Sequence, residues 1–319
     1  MVSGELSLLG DIGATSARFA ILRPDGTIGP ARVFSSQAYA DIADAILSYL
    51  AEEPPSAKPT VGALAIAAAM VGDRVRMSNH PWTFSIEDLR VRLGLDRLHV
   101  INDFAANALS IPELDRADIV QVGSGAASEG APIGVIGPGT GLGVSALLMR
   151  EGRAVPLQSE GGHVTMPAIT ARESVVLDLM RRRNDHVSAE RVISGPGLVN
   201  LYETLCEFER VRSAPFTPAQ ITDPRIGKED PQAREATAMF CAMLGTIAGN
   251  LALTLGARGG IYIAGGIVPK LGSTFVESEF RSRFQEKGRF LSYLKDIPTY
   301  VITRPVPALL GAARFLRQL

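Results

Sequence analysis

The chain has 319 residues, of which 46% are hydrophobic and 20% are charged, and its formal net charge is −1. This length predicts about two domains that can each bury a core, and the composition is typical of a soluble globular protein. A near-zero charge without a block of Lys and Arg argues against nucleic acid as a partner. The longest nearly pure apolar run, residues 63–71, is shorter than the ~20 residues that cross a bilayer, so no membrane partner is expected.

Location and metal content are predicted from the N-terminus and from the Cys and His residues. The N-terminus carries Glu5 and lacks the basic region of a secretory signal, so we expect a cytoplasmic protein. Cys206 and Cys241 lie in helical patterns and are expected to be reduced apolar residues. The cysteines and histidines lack the spacing of metal ligands, so no metal site is expected from a protein cluster alone. The histidines are His80, His99, His163 and His186.

The N-terminal residues predict a strand, a turn with two glycines and a second strand. Apolar runs at 6–9 and 18–22 flank the turn. Because glycines let backbone N–H groups approach an anion, the turn is a candidate phosphate site. Its residues are Gly10, Asp11, Ile12, Gly13, Ala14 and Thr15. Asp11 is acidic and would bind phosphates through Mg²⁺, unless it only forms the turn.

The rest of the first third alternates between strand and helix patterns. A second hairpin turns at 24–26 and leads to a strand at 31–34, and apolar residues then recur at helical spacing between 42 and 50. Residues 63–71 predict a buried strand, and Ser85 has the spacing of a helix N-cap. This part of the chain is therefore predicted to be α/β.

A polar pair follows the next predicted strand, at residues 98–101. Ligands of open α/β sheets bind at the carboxyl ends of strands, where Asn102 and Asp103 stand. Asp103 is the candidate catalytic base, because a carboxylate beside bound phosphates can accept a proton from a hydroxyl that attacks a phosphoryl group. The alternative is that Asp103 caps a helix at 104–109. Asn102 can hydrogen-bond to the same substrate.

The segment 133–149 repeats the pattern of strand, turn and strand. Apolar runs at 133–136 and 144–149 flank a turn with glycine at every second position. Its candidate phosphate-binding residues are Gly137, Gly139, Thr140 and Gly141. The alternative is that both are ordinary surface hairpins. Two such turns with one Thr each nevertheless favour joint binding of a single polyphosphate. Neither turn is a P-loop, because no Gly-Lys-Ser/Thr follows, and neither is a Rossmann fingerprint, because each enters a strand.

Other candidates in the second half have weaker patterns. Glu160 and His163 flank two glycines and could both bind hydroxyls, but a simple turn with a solvated Glu would look the same. Gly265 and Gly266 would let a flat base lie against the backbone, or would form a plain loop before a helix. Glu190 shows nothing locally beyond a solvated charge.

Motifs spread over residues 11–313 resemble those of the bacterial ATP-dependent glucokinase family, in the order of that family. They are DIGATSAR at 11–18, NHPW at 79–82, INDF at 101–104, GPGTGLG at 137–143, EGGHV at 160–164, ERVISGPGLV at 190–199, IAGGIVP at 263–269 and LLGAA at 309–313. The third, fifth and sixth motifs together are specific, and the whole set covers nearly the whole chain.

The resemblance implies an actin-like (ribonuclease H-like) α/β sugar kinase fold with two lobes and a cleft between them. It implies transfer of the γ-phosphoryl group of ATP to the 6-hydroxyl of D-glucose, with Mg²⁺, by a homodimer. By matching motif, Asp103 is the base, the glycine turns hold phosphates, and Gly265 and Gly266 lie near adenosine. The residues implied to bind the sugar are Asn79, Asn102, Asp103, Glu160, His163 and Glu190.

The expected domains are a small α/β domain at 1–112 plus 304–319 and a large one at 113–303.

The sequence departs from the family at Ala14 and Ser16, where the first turn usually reads Gly-Gly-Thr-Asn, and Ala14 needs a negative φ. The family also commonly has Pro where Ala69 stands. Two alternatives stay open: a kinase of another hexose with the same fold, and a catalytically weak sugar-sensing protein.

Overall fold

The computed structural model describes residues 5–54, 58–68 and 72–319. The chain forms two compact units and contains two large sheets, of five and six strands. The first unit comprises Met1–Asp118, Ser145–Gln158 and Arg304–Leu319. The second comprises Ile119–Val144 and Ser159–Thr303.

Seven strands occur in the described part of residues 1–118. They are β1 (Ser7–Ile12), β2 (Ser16–Leu22), β3 (Arg32–Ser35), β4 (Val61–Ile66), β5 (Arg74–Arg76), β6 (Thr83–Ser85) and β7 (Arg97–Asn102). Five form a sheet in the order β3-β2-β1-β4-β7, while β5 and β6 form a separate antiparallel hairpin. β1 runs parallel to β4, and β4 runs parallel to β7. In this register Ile12 faces Ile66 and Ile66 faces Asn102, so the three parallel strands end on one line.

Of the helices in this region, the first two begin where their capping residues predict. They are α1 (Ile42–Glu52), α2 (Ile86–Leu93) and α3 (Asp103–Ser110). The Asp41 side chain accepts from the Asp44 N–H at the start of α1, and Ser85 accepts from the Asp88 N–H at the start of α2. Tyr49 of α1 is buried against Phe19 of β2, with ring centroids 5.6 Å apart. Burial of such side chains stabilises the unit by about 1.5–3 kcal/mol each.

The predicted strand at 63–71 is shorter and begins earlier than expected. The observed strand β4 ends at Ile66, and Ala67 and Ala68 already belong to a bend. The prediction followed an unbroken apolar run, but a run of small residues does not mark where ladder pairing stops. Residues 69–71, with the departure at Ala69, lie outside the described residues.

The second sheet has six strands. They are β8 (Ile119–Gln121), β9 (Ile133–Pro138), β10 (Leu142–Arg150), β11 (Arg153–Ser159), β12 (Ile261–Ile263) and β13 (Thr299–Ile302), in the order β11-β10-β9-β12-β13-β8. β12 runs parallel to both β9 and β13, and β8 pairs antiparallel with β13. The predicted hairpin around residue 140 is therefore confirmed as β9, a short turn and β10.

The remaining helices belong to the second unit, apart from the last one. They are α4 (Ala171–Arg181), α5 (Gly195–Glu209), α6 (Pro218–Ile221), α7 (Pro224–Glu229), α8 (Pro231–Leu255), α9 (Val268–Leu271), α10 (Ser273–Val276), α11 (Phe280–Gln285), α12 (Leu291–Lys295) and α13 (Pro307–Arg317). The final helix packs in the first unit, where Leu309 and Ala312 join Leu9 and Ala63 in one apolar cluster. A Cβ on Gly311 would lie 1.7 Å from the Ala106 carbonyl oxygen, so only glycine allows this contact with α3.

Among the described residues, one helix is long and apolar enough to cross a membrane. This helix, α8, has 25 residues and a window of mean hydropathy 1.7, and 67% of that window is buried inside the protein. Gly245 and Gly249 let the α11 carbonyls of Phe280 and Phe284 approach α8 closely. These contacts are those of a core helix. Thr and Gly interrupt the apolar residues of α8, so its sequence contains no long unbroken apolar run.

Candidate functional site

The first glycine turn is a tight hairpin between β1 and β2. Asp11 pairs with Arg18 and Ile12 with Ala17, and the Gly13 N–H donates to the Ser16 carbonyl over 3.0 Å. Ala14 and Thr15 therefore form the tip. Ala14 does not have a positive φ, so its methyl group causes no backbone strain.

The predicted residues of this hairpin have different surroundings. Ile12 is fully buried, and a Cβ on Gly10 would lie 2.6 Å from Leu64 Cδ2. Gly10 is thus required by core packing, and these two residues could offer a ligand only their backbone. The Asp11 carboxylate lies 3.1 Å from Arg18 Nη1 and keeps 17% of its side-chain exposure. Burial raises the pKa of Asp11, and the charge and hydrogen bond of Arg18 oppose the rise.

A buried serine that the sequence analysis missed supports the hairpin tip. Ser36 Oγ donates to the Gly13 carbonyl over 2.9 Å, and the Ser36 N–H donates to the Thr15 carbonyl over 3.2 Å. Ser36 is fully buried, which makes both bonds costly to lose. No local pattern around Ser36 indicates this contact, because it joins residues more than 20 positions apart.

Asn102, rather than Asp103, is the N-cap of α3. Its Oδ1 accepts from the Phe104 and Ala105 N–H groups over 2.9 and 3.0 Å, and its Nδ2 donates to the Ala68 carbonyl over 3.2 Å. Asp103 is the first helical residue and is partly exposed. The capping explanation for Asp103 is therefore wrong, because its neighbour performs that role.

Several candidates of the first unit meet at the carboxyl end of its parallel strands. The Ala67 N–H donates to the Ile12 carbonyl over 3.1 Å, and Asn102 binds the adjacent Ala68. The Ser78 N–H donates to the Ala67 carbonyl over 3.0 Å, which brings the exposed Asn79 to the same edge. This is the end of an α/β sheet where ligands bind.

The loop that carries Asn79 is anchored by an aromatic pair. Trp82 is 4% exposed, and its Nε1 donates to the Tyr39 carbonyl over 3.3 Å. The His80 and Trp82 rings pack edge to face with centroids 4.5 Å apart. A loop fixed in this way holds the Asn79 backbone in one place beside the strand ends.

In the second unit, the glycine turn between β9 and β10 has its tip at Gly139, Thr140 and Gly141. The Gly139 N–H donates to the Gly141 carbonyl over 2.8 Å, and Thr140 is exposed. A Cβ on Gly139 would contact nothing within 4 Å, whereas Gly137 is buried in the sheet. The tip therefore presents open backbone, as an anion requires.

The glycine pair between Glu160 and His163 is required by a close approach, which confirms the expected tight backbone. A Cβ on Gly162 would lie 1.9 Å from the Leu142 carbonyl oxygen. The short helix that follows Glu160 leaves both flanking side chains more than half exposed, with His163 Nε2 3.9 Å from Glu160 Oε2. Two polar side chains thus project from a segment held against β10.

Glu190 lies between these two segments, which its sequence surroundings do not indicate. Its Oε2 accepts from the Leu142 N–H over 2.8 Å, at the end of the glycine turn. The Glu190 N–H donates to the Gly162 carbonyl over 2.9 Å. The partly buried carboxylate is therefore engaged with the protein and is not a solvated charge.

Gly265 and Gly266 continue from β12 beside β9. Gly265 has φ +83°, which disfavours other residues. A Cβ added there would lie 2.4 Å from the Pro138 carbonyl oxygen, so both the backbone conformation and the close contact require glycine. Gly266 has open space around its Cβ position, and both residues are exposed. The pair therefore borders the glycine turn with accessible backbone.

Neither a cluster of metal ligands nor the described cavity coincides with these segments in the described residues. No group of three His, Cys, Asp or Glu side chains in the described ranges could hold a metal ion. A cavity of about 290 Å³ lies in the second unit and contains none of the predicted site residues. It is lined by residues of α6, α7, α8 and α10, among them Ile221, Thr237, Cys241 and Thr274.

Comparison with known proteins gives one consistent family. The glucokinase family model matches residues 8–319. A glucokinase of Nitrobacter hamburgensis is 49% identical over 308 residues, covering 97% of this chain and 96% of the relative. A glucokinase of Paramagnetospirillum magneticum is 48% identical over 310 residues, covering 97% of both chains.

Structural similarity gives the same result. The crystal structure of a glucokinase from an Antarctic psychrotroph has a TM-score of 0.86 and 34% identity, and the match covers 99% of each chain. The sugar kinase fold implied by the motifs is thereby confirmed. Since sequence and structure agree over nearly the full length, the chain belongs to the glucokinase family.

Proposed function

We propose that this chain transfers the γ-phosphoryl group of ATP to the 6-hydroxyl of D-glucose, with Asp103 as the general base. Its near full-length similarity to glucokinases supports the reaction. The observation that carries the role of Asp103 is its place at the carboxyl end of β7, beside a residue that already caps α3. A carboxylate held at a strand end is well placed for chemistry on a bound ligand.

The reaction needs one proton acceptor. The Asp103 carboxylate accepts the proton of the 6-hydroxyl while the hydroxyl oxygen forms a bond to the γ-phosphorus. The bond from that phosphorus to the bridging oxygen breaks, and ADP leaves with the electron pair. Such general base catalysis contributes about 10²–10⁴ in rate, and positioning and charge stabilisation supply the rest.

The phosphates of ATP would be bound by backbone groups of the two glycine turns. The Ala14–Thr15 tip and the turn at 139–141 both present short, supported backbone segments. Gly265 and Gly266 would lie against the nucleoside. This division agrees with the preference of anions for backbone N–H groups in concave turns.

Mg²⁺ would arrive with the nucleotide. This ion usually keeps several waters and binds one or two carboxylates together with substrate phosphates. Asp11 offers one carboxylate next to the first turn, so the donors present fit such an ion. The bound ion would neutralise charge on the phosphates.

Side chains of the predicted site would bind sugar hydroxyls. Glu160 and His163 project from the segment on β10, and Glu190 offers its second carboxylate oxygen. Asn79 lies at the strand ends of the first unit, and Asn102 keeps a second Nδ2 hydrogen beyond its bond to Ala68. A site built to hydrogen-bond a sugar hydroxyl rejects a sugar that lacks it.

A hexose panel tests the proposal. Purified protein is assayed with Mg²⁺-ATP and glucose, mannose, fructose or glucosamine by coupled detection of ADP. We expect glucose to have the highest kcat/KM. A higher value for another hexose would indicate a related kinase, and binding of glucose without turnover would indicate a sugar sensor. The sensor alternative is motivated by Ala14 and Ser16, and Ala14 is unstrained.

We also propose that the enzyme is a cytoplasmic homodimer, as the family resemblance implies. Sedimentation velocity over a range of protein concentrations tests the assembly. A single species near twice the chain mass of 33.9 kDa would support the dimer, and a species at the chain mass would contradict it.

A further inference from the structure

Residues 190–195 hold both ends of the glycine turn in the second unit. At one end, the Gly195 N–H donates to the Gly139 carbonyl over 2.8 Å. At the other end, Glu190 Oε2 accepts from the Leu142 N–H over 2.8 Å. Ser194 Oγ joins the two contacts by donating to the Glu190 carbonyl over 2.7 Å, while it also caps α5. A short segment thus fixes the backbone that would bind phosphate.

The two oxygens of the Glu190 carboxylate have different surroundings. Oε2 is bonded to the Leu142 N–H, whereas Oε1 accepts no hydrogen bond from the residues that the structure describes. A carboxylate can accept several hydrogen bonds at once, and those to a charged acceptor are the stronger ones. One oxygen therefore belongs to the turn, and the other remains able to accept from a ligand hydroxyl.

We infer that Glu190 is a positioning residue that couples sugar binding to the phosphate-binding turn at 139–141. The inference rests on the proposed function, which places a sugar hydroxyl on Glu190. A hydroxyl bonded to Oε1 fixes the carboxylate and, through Oε2, the Leu142 backbone. Because sugar binding already orders the turn, less conformational entropy is lost when the nucleotide binds, so the nucleotide binds more tightly. By linkage, the nucleotide tightens sugar binding by the same factor.

Glu160 provides a matched comparison within the same unit. Its side chain is 59% exposed, and among the described residues its carboxylate is near only His163 Nε2, at 3.9 Å. Since no hydrogen bond of the Glu160 carboxylate to the turn is seen among the described residues, Glu160 would contribute to sugar affinity without a bond to the turn. Loss of charge at Glu160 or at Glu190 should weaken glucose binding to a similar extent. Only the change at Glu190 should remove the coupling between glucose binding and nucleotide binding.

The first test measures binding of a non-hydrolysable ATP analogue with Mg²⁺ by calorimetry, with and without saturating glucose. In the unaltered protein we expect glucose to tighten analogue binding at least ~5-fold, within the usual range of allosteric coupling. Glu160→Gln should keep this ratio once glucose is saturating. Glu190→Gln keeps an acceptor for Leu142 but disrupts acceptance from the sugar, so its ratio should fall to about twofold or less.

The second test measures hydrogen exchange in the peptide that contains residues 139–142. Glucose alone should slow exchange of the Leu142 amide in the unaltered protein and in Glu160→Gln, but not in Glu190→Gln. Unchanged thermal unfolding of Glu190→Gln would exclude a general loss of structure. Equal glucose protection and an equal binding ratio in Glu190→Gln would overturn the inference. Failure of the unaltered protein to phosphorylate glucose would instead overturn the proposed function.

Discussion

The two glycine turns have similar sequences, yet different contacts hold them in place. The first is supported by a side chain, because Ser36 Oγ binds the Gly13 carbonyl, and its Gly10 is required by core packing. The second is supported by backbone contacts and a carboxylate, through Gly195 and Glu190. At one tip position of each turn glycine is not needed to avoid a clash or strain, since a Cβ on Gly139 contacts nothing and Ala14 is unstrained.

This difference shows where each turn can tolerate substitution. In the first unit the sensitive positions are Gly10 and Ser36, beside the tip. In the second unit they are Gly162 and Gly265, which belong to neighbouring segments and touch the strands of the turn. A glycine motif therefore does not by itself show which of its glycines are required.

The largest effect on activity is expected at Asp103, the proposed base in the first unit, in contrast to Glu160 in the second unit. Asp103→Asn keeps the Oδ1 acceptor for the Phe104 N–H but removes the base, so kcat should fall by about 10²–10⁴. The glucose dissociation constant should change only a few-fold. Glu160→Gln in the second unit should show the opposite pattern, with a raised KM for glucose and a smaller change in kcat. Steady-state kinetics and calorimetry separate the two, and a kcat for Asp103→Asn near the unaltered value would exclude Asp103 as the base.

Gly162→Ala should destabilise the second unit strongly. Its methyl group would lie 1.9 Å from a backbone oxygen that cannot rotate away, so we expect a loss on the order of 3 kcal/mol in the free energy of unfolding. Gly139→Ala is the matched control, because its Cβ meets open space, and it should change stability by less than about 0.5 kcal/mol. Urea unfolding measures both. Equal stability of the two variants would mean that the close approach at Gly162 does not exist.

Ser36→Ala should affect the first turn specifically. The loss of a buried hydrogen bond costs about 1 kcal/mol and loosens the Gly13 backbone, so KM for ATP should rise several-fold while KM for glucose stays nearly unchanged. Ser35→Ala is the control, since Ser35 is exposed and makes no capping bond. If Ser36→Ala shifts KM for glucose and not for ATP, the first turn does not bind the nucleotide.

The smallest effect is expected at the position where the sequence departs from the family. Ala14→Gly restores the usual residue, but Ala14 has no positive φ to relieve. The change should therefore leave KM for ATP within about twofold and lower stability by about 0.4–1 kcal/mol, because glycine makes the unfolded chain more flexible. Kinetics and thermal unfolding check this. A large gain in ATP affinity would show that the methyl group at Ala14 obstructs the nucleotide.

Local features of the fold could be predicted from the sequence, because they depend on neighbouring residues. The hairpins around residues 14 and 140 follow from alternating apolar runs and glycine, and the starts of α1 and α2 follow from Asp41 and Ser85. The capping residue of α3 is harder to predict from the sequence, since Asn102 and Asp103 are adjacent and both residue types cap helices well. Only the three-dimensional geometry assigns the cap to Asn102.

Contacts between distant segments could not be predicted from local patterns. Glu190 lies 48 positions from Leu142, and Ser36 lies 23 from Gly13, so no periodicity connects either pair. Glu190 entered the candidate site only through the family resemblance. Its bond to the turn depends on how residues 190–195 lie against the turn, through Gly195 and Gly139 as well, and a single sequence does not specify that placement.

The most direct test of the account is identification of the reaction products. Protein, Mg²⁺-ATP and glucose are incubated together and followed by ³¹P nuclear magnetic resonance. We predict that ADP and glucose 6-phosphate accumulate in equal amounts, and that Asp103→Asn forms both far more slowly. Release of inorganic phosphate without sugar phosphate, or phosphorylation of a different hydroxyl, would contradict the assignment.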